Sequence, residues 1–361
     1  MSPTADVIEA IAGLSVDSPL ALLRRGRPVA TAHAQGSYTA LFETDAPRAF
    51  DRADRLTIAV RVALLHRDAN ASAWYQQRLD EGGGGKASER LDAALGHVEL
   101  LTTRPAAATS DDLRSLVKAG LSVSDIVTVS QLASFLSFQI RVAAGLRLLA
   151  GGDSGTADAE QPVIQEAPAR HAFTLDTIGW APWLEPLSLD AANDEQRAAL
   201  AGHRGDSPYF RLLAYDAPIL RERSATDDGI FHSPDGLPRA ERELAAVISS
   251  KVNGCVFCAS VHARFAVHYS GREKAIRDIL DNGIRTELDE RWRRIVDFAA
   301  ALAATPSTVN GVHLAGLRSV GLDDLEILDL TGATAFFAWA NRLMLTIGEP
   351  TIDQDNKSRA A

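Results

Sequence analysis

The chain has 361 residues, 46% of them hydrophobic and 23% charged, with a formal net charge of −10. That length suits two domains with a core each, and this hydrophobic content excludes a disordered chain. The charge is spread along the sequence without a basic stripe, which argues against nucleic acid or anionic lipid as partners.

The first residues, MSPTADVIEAIAGLSVD, carry acids and no basic residue ahead of their apolar positions, so no secretory or transit signal is read there. Apolar residues then recur at three and four positions along the chain, as in RELAAVISSKV, RWRRIVDFAAALAA and LEILDLTGATAFFAWANRLML, while strand signals are scarce. The fold class expected is all-α. The most apolar stretch, residues 131–150, is interrupted by Gln139, Arg141 and Arg147, which argues against a membrane span. A soluble cytoplasmic protein is expected.

Residues 151–170, GGDSGTADAEQPVIQEAPAR, lack an apolar period and read as a linker. The sequence on its two sides repeats itself. DSPLALLRRGRP (17–28) parallels DSPYFRLLAYDAP (206–218), and RADRLTIAVRVA (52–63) parallels RAERELAAVISS (239–250). AGLSVSDIVTVSQLASFLSFQIRV (119–142) parallels VGLDDLEILDLTGATAFFAWANRL (320–343), with Phe135 opposite Phe336 and Arg141 opposite Arg342. The expected organisation is a helical module at 1–150, a linker at 151–171, a second module at 172–348 and a flexible tail at 349–361.

Both cysteines of the chain, Cys255 and Cys258, lie in SSKVNGCVFCASVHARF with His262. In the first half the matching positions hold Asp68, Ala71 and Tyr75, and Leu56 stands where the second half has Glu243. Four reactive positions differ together, which points to a working unit kept by the second half alone. The first module is therefore read as degenerate.

Asn253-Gly254 ends one helix and lets another begin near Cys255. On that helix positions 255, 258 and 262 are three and four apart and share a face. A helix N-terminus favours thiolate, so the cysteine pKa is expected to fall. His262 is the candidate base for Cys258, and Glu243 on the preceding helix is the candidate group that orients it. Zinc binding and a purely structural role for the cysteines are the competing readings, although a second ligand pair for zinc is missing.

The pattern of Glu243, then Cys255-x-x-Cys258-x-x-x-His262 twelve residues on, resembles the carboxymuconolactone decarboxylase/AhpD superfamily, and within it the AhpD-like alkylhydroperoxidases and peroxidase-related proteins. The resemblance runs from about Ser207 to Ile347 and implies two tandem AhpD-like modules. It also implies a cofactor-free, metal-free thiol peroxidase in which Cys258 attacks a hydroperoxide, Cys255 resolves the sulfenic acid, and Glu243 and His262 relay protons. A dithiol reductant of the lipoyl or thioredoxin-like class and a homo-oligomer follow from the same resemblance. Phe257 departs from the best-known member, which has a histidine between the cysteines; many relatives have an aromatic there, so the relay is kept while Cys255 loses a neighbour that helps it ionise. A redox-sensing dithiol module and a cofactor-free decarboxylase are the alternatives. Trp339, Asn341 and Arg342 are read as either pocket-lining or core and salt-bridge residues, His268 as a surface residue, and Trp180 and Trp183 as a packed arm or oligomer contact.

Overall fold

A computed structural model of the chain describes residues 6–44, 50–83, 87–151, 163–203 and 207–352. The fold is all-α. The first half contains α1 (Val7–Ala12), α2 (Pro19–Arg25), α3 (Pro28–Phe42), α4 (Arg52–Leu65), α5 (Ala69–Glu81), α6 (Glu89–Thr103), α7 (Ser110–Lys118) and α8 (Val123–Leu149). A short strand, β1 (Gly179–Pro182), precedes α9 (Asp194–Leu200) and α10 (Pro208–Leu213). There follow α11 (Ala217–Phe231), α12 (Arg239–Asn253), α13 (Val256–Ser270), α14 (Glu273–Asn282), α15 (Glu290–Ala303), α16 (Gly311–Ser319), α17 (Asp324–Thr346) and β2 (Gly348–Thr351).

The order of helices repeats, as the sequence parallels suggest. Helices α3 to α8 correspond in order to α11, α12, α13, α15, α16 and α17, with α14 added in the second half. The starts are set by matching caps: Asp68 caps α5 at the position where Cys255 precedes α13, and Ser122 and Asp323 form capping boxes on α8 and α17. Each box satisfies backbone donors that a helix start leaves open.

The two halves meet through like elements, α3 against α11 and α8 against α17. Helix α8 is long and apolar enough to cross a membrane by composition, but most of it is buried within the fold. Its aromatics interlock with those of α17, where Phe135 meets Trp339 edge-on at 5.2 Å and Phe138 meets Phe336 at 6.4 Å. Two polar pairs bridge the halves here. Trp339 donates from Nε1 to Gln131 at 2.9 Å, and Thr128 donates to Asp216 at 2.8 Å.

Two arginines cap helices of the opposite half. Arg141 of α8 donates to the carbonyls of Leu302, Ala303 and Ala304 at the end of α15, and Arg342 of α17 donates to the carbonyl of Thr102 near the end of α6. Both also reach the hydroxyl of Thr305. These carbonyls have no intrahelical donor, so a guanidinium with several fixed N–H groups answers both sets of needs. Arg342 is thus a carbonyl cap rather than a salt-bridge or pocket residue.

Of the expected linker, residues 163–171 are described and lie along the second half: Ala167 donates its N–H to Val252, and Glu166 pairs with Lys251 at 3.0 Å. Residues 152–162 lie outside the described residues. Where the flexible tail is expected to start, residues 348–351 instead form β2, which pairs antiparallel with β1, Trp180 opposite Pro350. Residues 353–361 are outside the described range.

Candidate active site

Helix α12 runs through the centre of the second half, and every residue from Glu241 to Asn253 is buried. It ends at Gly254, whose φ of +77° suits a residue without a side chain. A Cβ there would stand 3.0 Å from the carbonyl oxygen of Pro168, so the approach of the chain also favours glycine. The turn reverses the chain into α13, which packs back against α12 and brings His262 beside Glu243.

Glu243 has no exposed surface and uses both carboxylate oxygens. Oε2 accepts from Nδ1 of His262 at 2.5 Å, and Oε1 accepts from Nε of Arg239 at 2.6 Å. A carboxylate only accepts, so the imidazole carries its proton on Nδ1 and presents Nε2 as the free basic nitrogen. The ring is held further by Phe337, edge-on at 4.3 Å, and by Phe231 at 5.9 Å. The guanidinium of Arg239 lies over the Phe231 ring, so the group that supports Glu243 is itself packed in place.

Cys255 is the N-cap residue of α13 and Cys258 lies one turn into it, at 2% and 5% exposure. Both are free thiols. Burial pushes the Cys258 thiol well above its ordinary pKa; its contacts with Cys255 and the charge of Asp227 add to this, and Arg223 opposes it. The expected lowering by the helix N-terminus is therefore overridden at Cys258, because desolvation of a thiolate outweighs the helix-end field. No hydrogen bond joins Cys258 to His262 among the described residues. A proton passing between them needs a bridging water or hydroxyl.

Cys258 and His262 line the same cavity of about 310 Å³. Its walls are apolar, formed by Trp180, Tyr209, Phe257, Phe336, Phe337 and Met344. Arg223 and Asp227 of α11 add charge to it. Cys255 does not reach it, so the second cysteine of the pair is the one that faces an incoming molecule.

Some sequence candidates lie elsewhere. Trp339 is wholly buried at the interface between the halves, and Asn341 bonds Ser250 at 3.1 Å. His268 is exposed. Trp180 is both arm and wall: it sits in β1, donates to the Met344 carbonyl at 2.9 Å and borders the cavity. Among the described residues no group of three or more His, Cys, Asp and Glu side chains is placed to hold a metal ion, so the zinc reading has no ligand set there.

In the first half the corresponding side chains are core and cap residues. Tyr75, at the position of His262, is fully buried and donates to Gln139, packed against Phe42 and Trp74. Leu56, at the position of Glu243, is a core residue, and Asp68, at that of Cys255, caps α5 and pairs with Arg147.

Residues 218–301 match the carboxymuconolactone decarboxylase family. The match lies within the second half. The matched segment includes Glu243, Cys255, Cys258 and His262, and also Arg223, Asp227 and Arg239. Among solved structures, the chain is similar to an uncharacterized peroxidase-related protein from Ralstonia eutropha JMP134, described as an alkylhydroperoxidase AhpD core. Identity is 26%, the match covers 47% of this chain and 92% of that one, and the TM-score is 0.42. It is also similar to an uncharacterized peroxidase-related protein from Silicibacter sp. TM1040, with 22% identity, coverage of 54% and 96%, and a TM-score of 0.38. No curated protein matches the chain.

Proposed function

We propose that the second half is a thiol-dependent peroxidase acting on organic hydroperoxides. The observation that carries this reading is one cavity lined by both Cys258 and His262, with His262 oriented by a buried, doubly bonded Glu243 and with Cys255 directly behind Cys258. A nucleophile, a base, a group that orients the base and a resolving thiol are the parts such a reaction needs.

The hydroperoxide ROOH enters with its O–O bond over Cys258. His262 Nε2 takes the thiol proton through a bridging hydroxyl, and the Cys258 sulfur attacks the terminal oxygen. The O–O bond breaks, Cys258 becomes the sulfenic acid S–OH, and the departing alkoxide takes the proton from His262 to leave as ROH. Glu243 stabilises the imidazolium between these transfers. The Cys255 sulfur then attacks Cys258, the S–O bond breaks, water leaves with the thiol proton, and a disulfide remains. A dithiol reductant returns the two electrons by thiol–disulfide exchange.

Free-thiol titration tests this. One equivalent of an organic hydroperoxide is expected to remove both thiols of the wild-type chain, while Cys258→Ser retains its Cys255 thiol. An unchanged thiol count in the wild type would sink the reading.

A further inference from the structure

The cavity beside Cys258 contains one cation without an assigned partner. Among the described residues the buried arginines are Arg24, Arg55, Arg141, Arg223, Arg242 and Arg342. Five of these bond protein groups: Arg24 to Glu9, Arg55 to the Phe50 carbonyl, Arg242 to Asp329, and Arg141 and Arg342 to helix ends. Arg223 is the exception. It is 4% exposed, its Nε has no partner, and it forms no hydrogen bond or ion pair among the described residues.

Beside it the hydroxyl of Tyr209, on α10, is also buried without a partner. The Arg223 guanidinium lies 5.8 Å from the Tyr209 ring and 5.0 Å from that of Phe336, and all three line the cavity. Burial raises the Tyr209 pKa above the usual tyrosine range, so its hydroxyl remains a donor. Asp227, one turn beyond Arg223 on α11, makes no ion pair with it; burial raises the Asp227 pKa, and Arg223 is the first of the charges that oppose the rise, ahead of His262. The end of the cavity at Arg223 therefore has two unused donors, one of them charged.

Buried polar groups are as a rule bonded, and a buried unpaired cation is costly to hold. The first half shows that the fold does not require it. Counting from the first residue of each helix, α3 has Ala34 and Tyr38 where α11 has Arg223 and Asp227, and both are core residues. Those charges are absent from the half that also has no cysteine.

We propose that Arg223 and Tyr209 bind the carboxylate of the substrate, so that this site takes molecules with an apolar body and a carboxylate end. The apolar body lies against Phe336, Phe337 and Trp180, and the carboxylate takes a charge-assisted pair of bonds from Arg223 with a further bond from the Tyr209 hydroxyl. Applied to catalysis, the inference rests on the peroxidase reading and makes the preferred substrates carboxylate-bearing hydroperoxides.

The ligand preference is measurable without turnover. Titration calorimetry of the reduced full-length protein compares phenylbutyrate with its methyl ester, the same apolar body without the charge. The acid is expected to bind at least about tenfold more tightly than the ester, the scale of a charge-assisted hydrogen bond. Arg223→Met is expected to abolish the preference, and Tyr209→Phe to reduce it about threefold or more. If Arg223→Met does not fold, Arg223→Lys and Tyr209→Phe carry the test, each predicted to weaken the acid and leave the ester unchanged. Equal affinity for acid and ester in the wild type, absence of acid binding, or an acid preference unaffected by these variants would overturn the proposal. Thiol consumption by cumene hydroperoxide, which has no carboxylate, reads the peroxidase chemistry alone, so the two readings fail separately.

Discussion

At the scale of single residues, the site sets burial against the field of a helix end, and burial prevails at Cys258. A buried thiol depends on its base. His262→Gln is therefore expected to slow hydroperoxide-dependent loss of the Cys258 thiol at pH 7 by about a hundredfold, within the range for general-base catalysis. The remaining rate is expected to climb about tenfold per pH unit from pH 7 to 9, because thiolate must form without help and its pKa is raised. The sign follows from the direction of the shift: below a raised pKa each unit of pH multiplies the small thiolate fraction by ten. Stopped-flow rates across that range check it, and a flat profile in the variant would contradict the raised thiol. Glu243, Cys255, Cys258 and His262 were legible because four reactive positions differ together between the repeats. Arg223, Asp227, Tyr209 and Arg239 were not, since each alone resembles a solvated or packing residue and their approach to the cysteines is tertiary. Comparison of α3 with α11 carried the missing signal, Ala34 and Tyr38 opposite two charges.

At the scale of elements, the helices follow from apolar period and caps, and the boundaries at Asn253-Gly254 fall where the sequence suggests. The β1–β2 pair was hidden because GWAP and GEPT are short and contain proline, which ordinarily argues against a strand. The faces of α17 were hidden too: Trp339 and Arg342 point to the other half, a choice that depends on where α8 lies. The crossing of α3 and α11 is tight. A Cβ on Gly229 would stand 2.4 Å from the Ala30 nitrogen and 2.9 Å from its Cα, backbone atoms that cannot turn aside. Gly229→Ala is expected to destabilise the protein by about 2 kcal/mol, as overpacking does. Urea unfolding measures it, and an unchanged midpoint with an unchanged slope would show that the helices separate freely.

At the scale of the molecule, the degenerate half serves as a structural counterpart. It covers α17 with α8, and Arg141 and Arg342 bond helix ends across the boundary. A fragment of residues 163–361 lacks that cover and leaves Phe336 and Trp339, which pack on Phe135 and Phe138, open to water. It is expected to self-associate on size-exclusion chromatography and to lose hydroperoxide-dependent thiol loss; a monodisperse, fully active fragment would rule out a supporting role for the first half.

The exchanged arginines have one more consequence. In an assembly of separate modules, a site that needs its neighbour disappears on dilution, because association competes with free translation. Here the neighbour is carried on the same chain, at an effective concentration set by the linker rather than by the cell. The fusion leaves one Cys255–Cys258 pair for every pair of modules and keeps the contacts of Arg141 and Arg342 across the halves within a single chain.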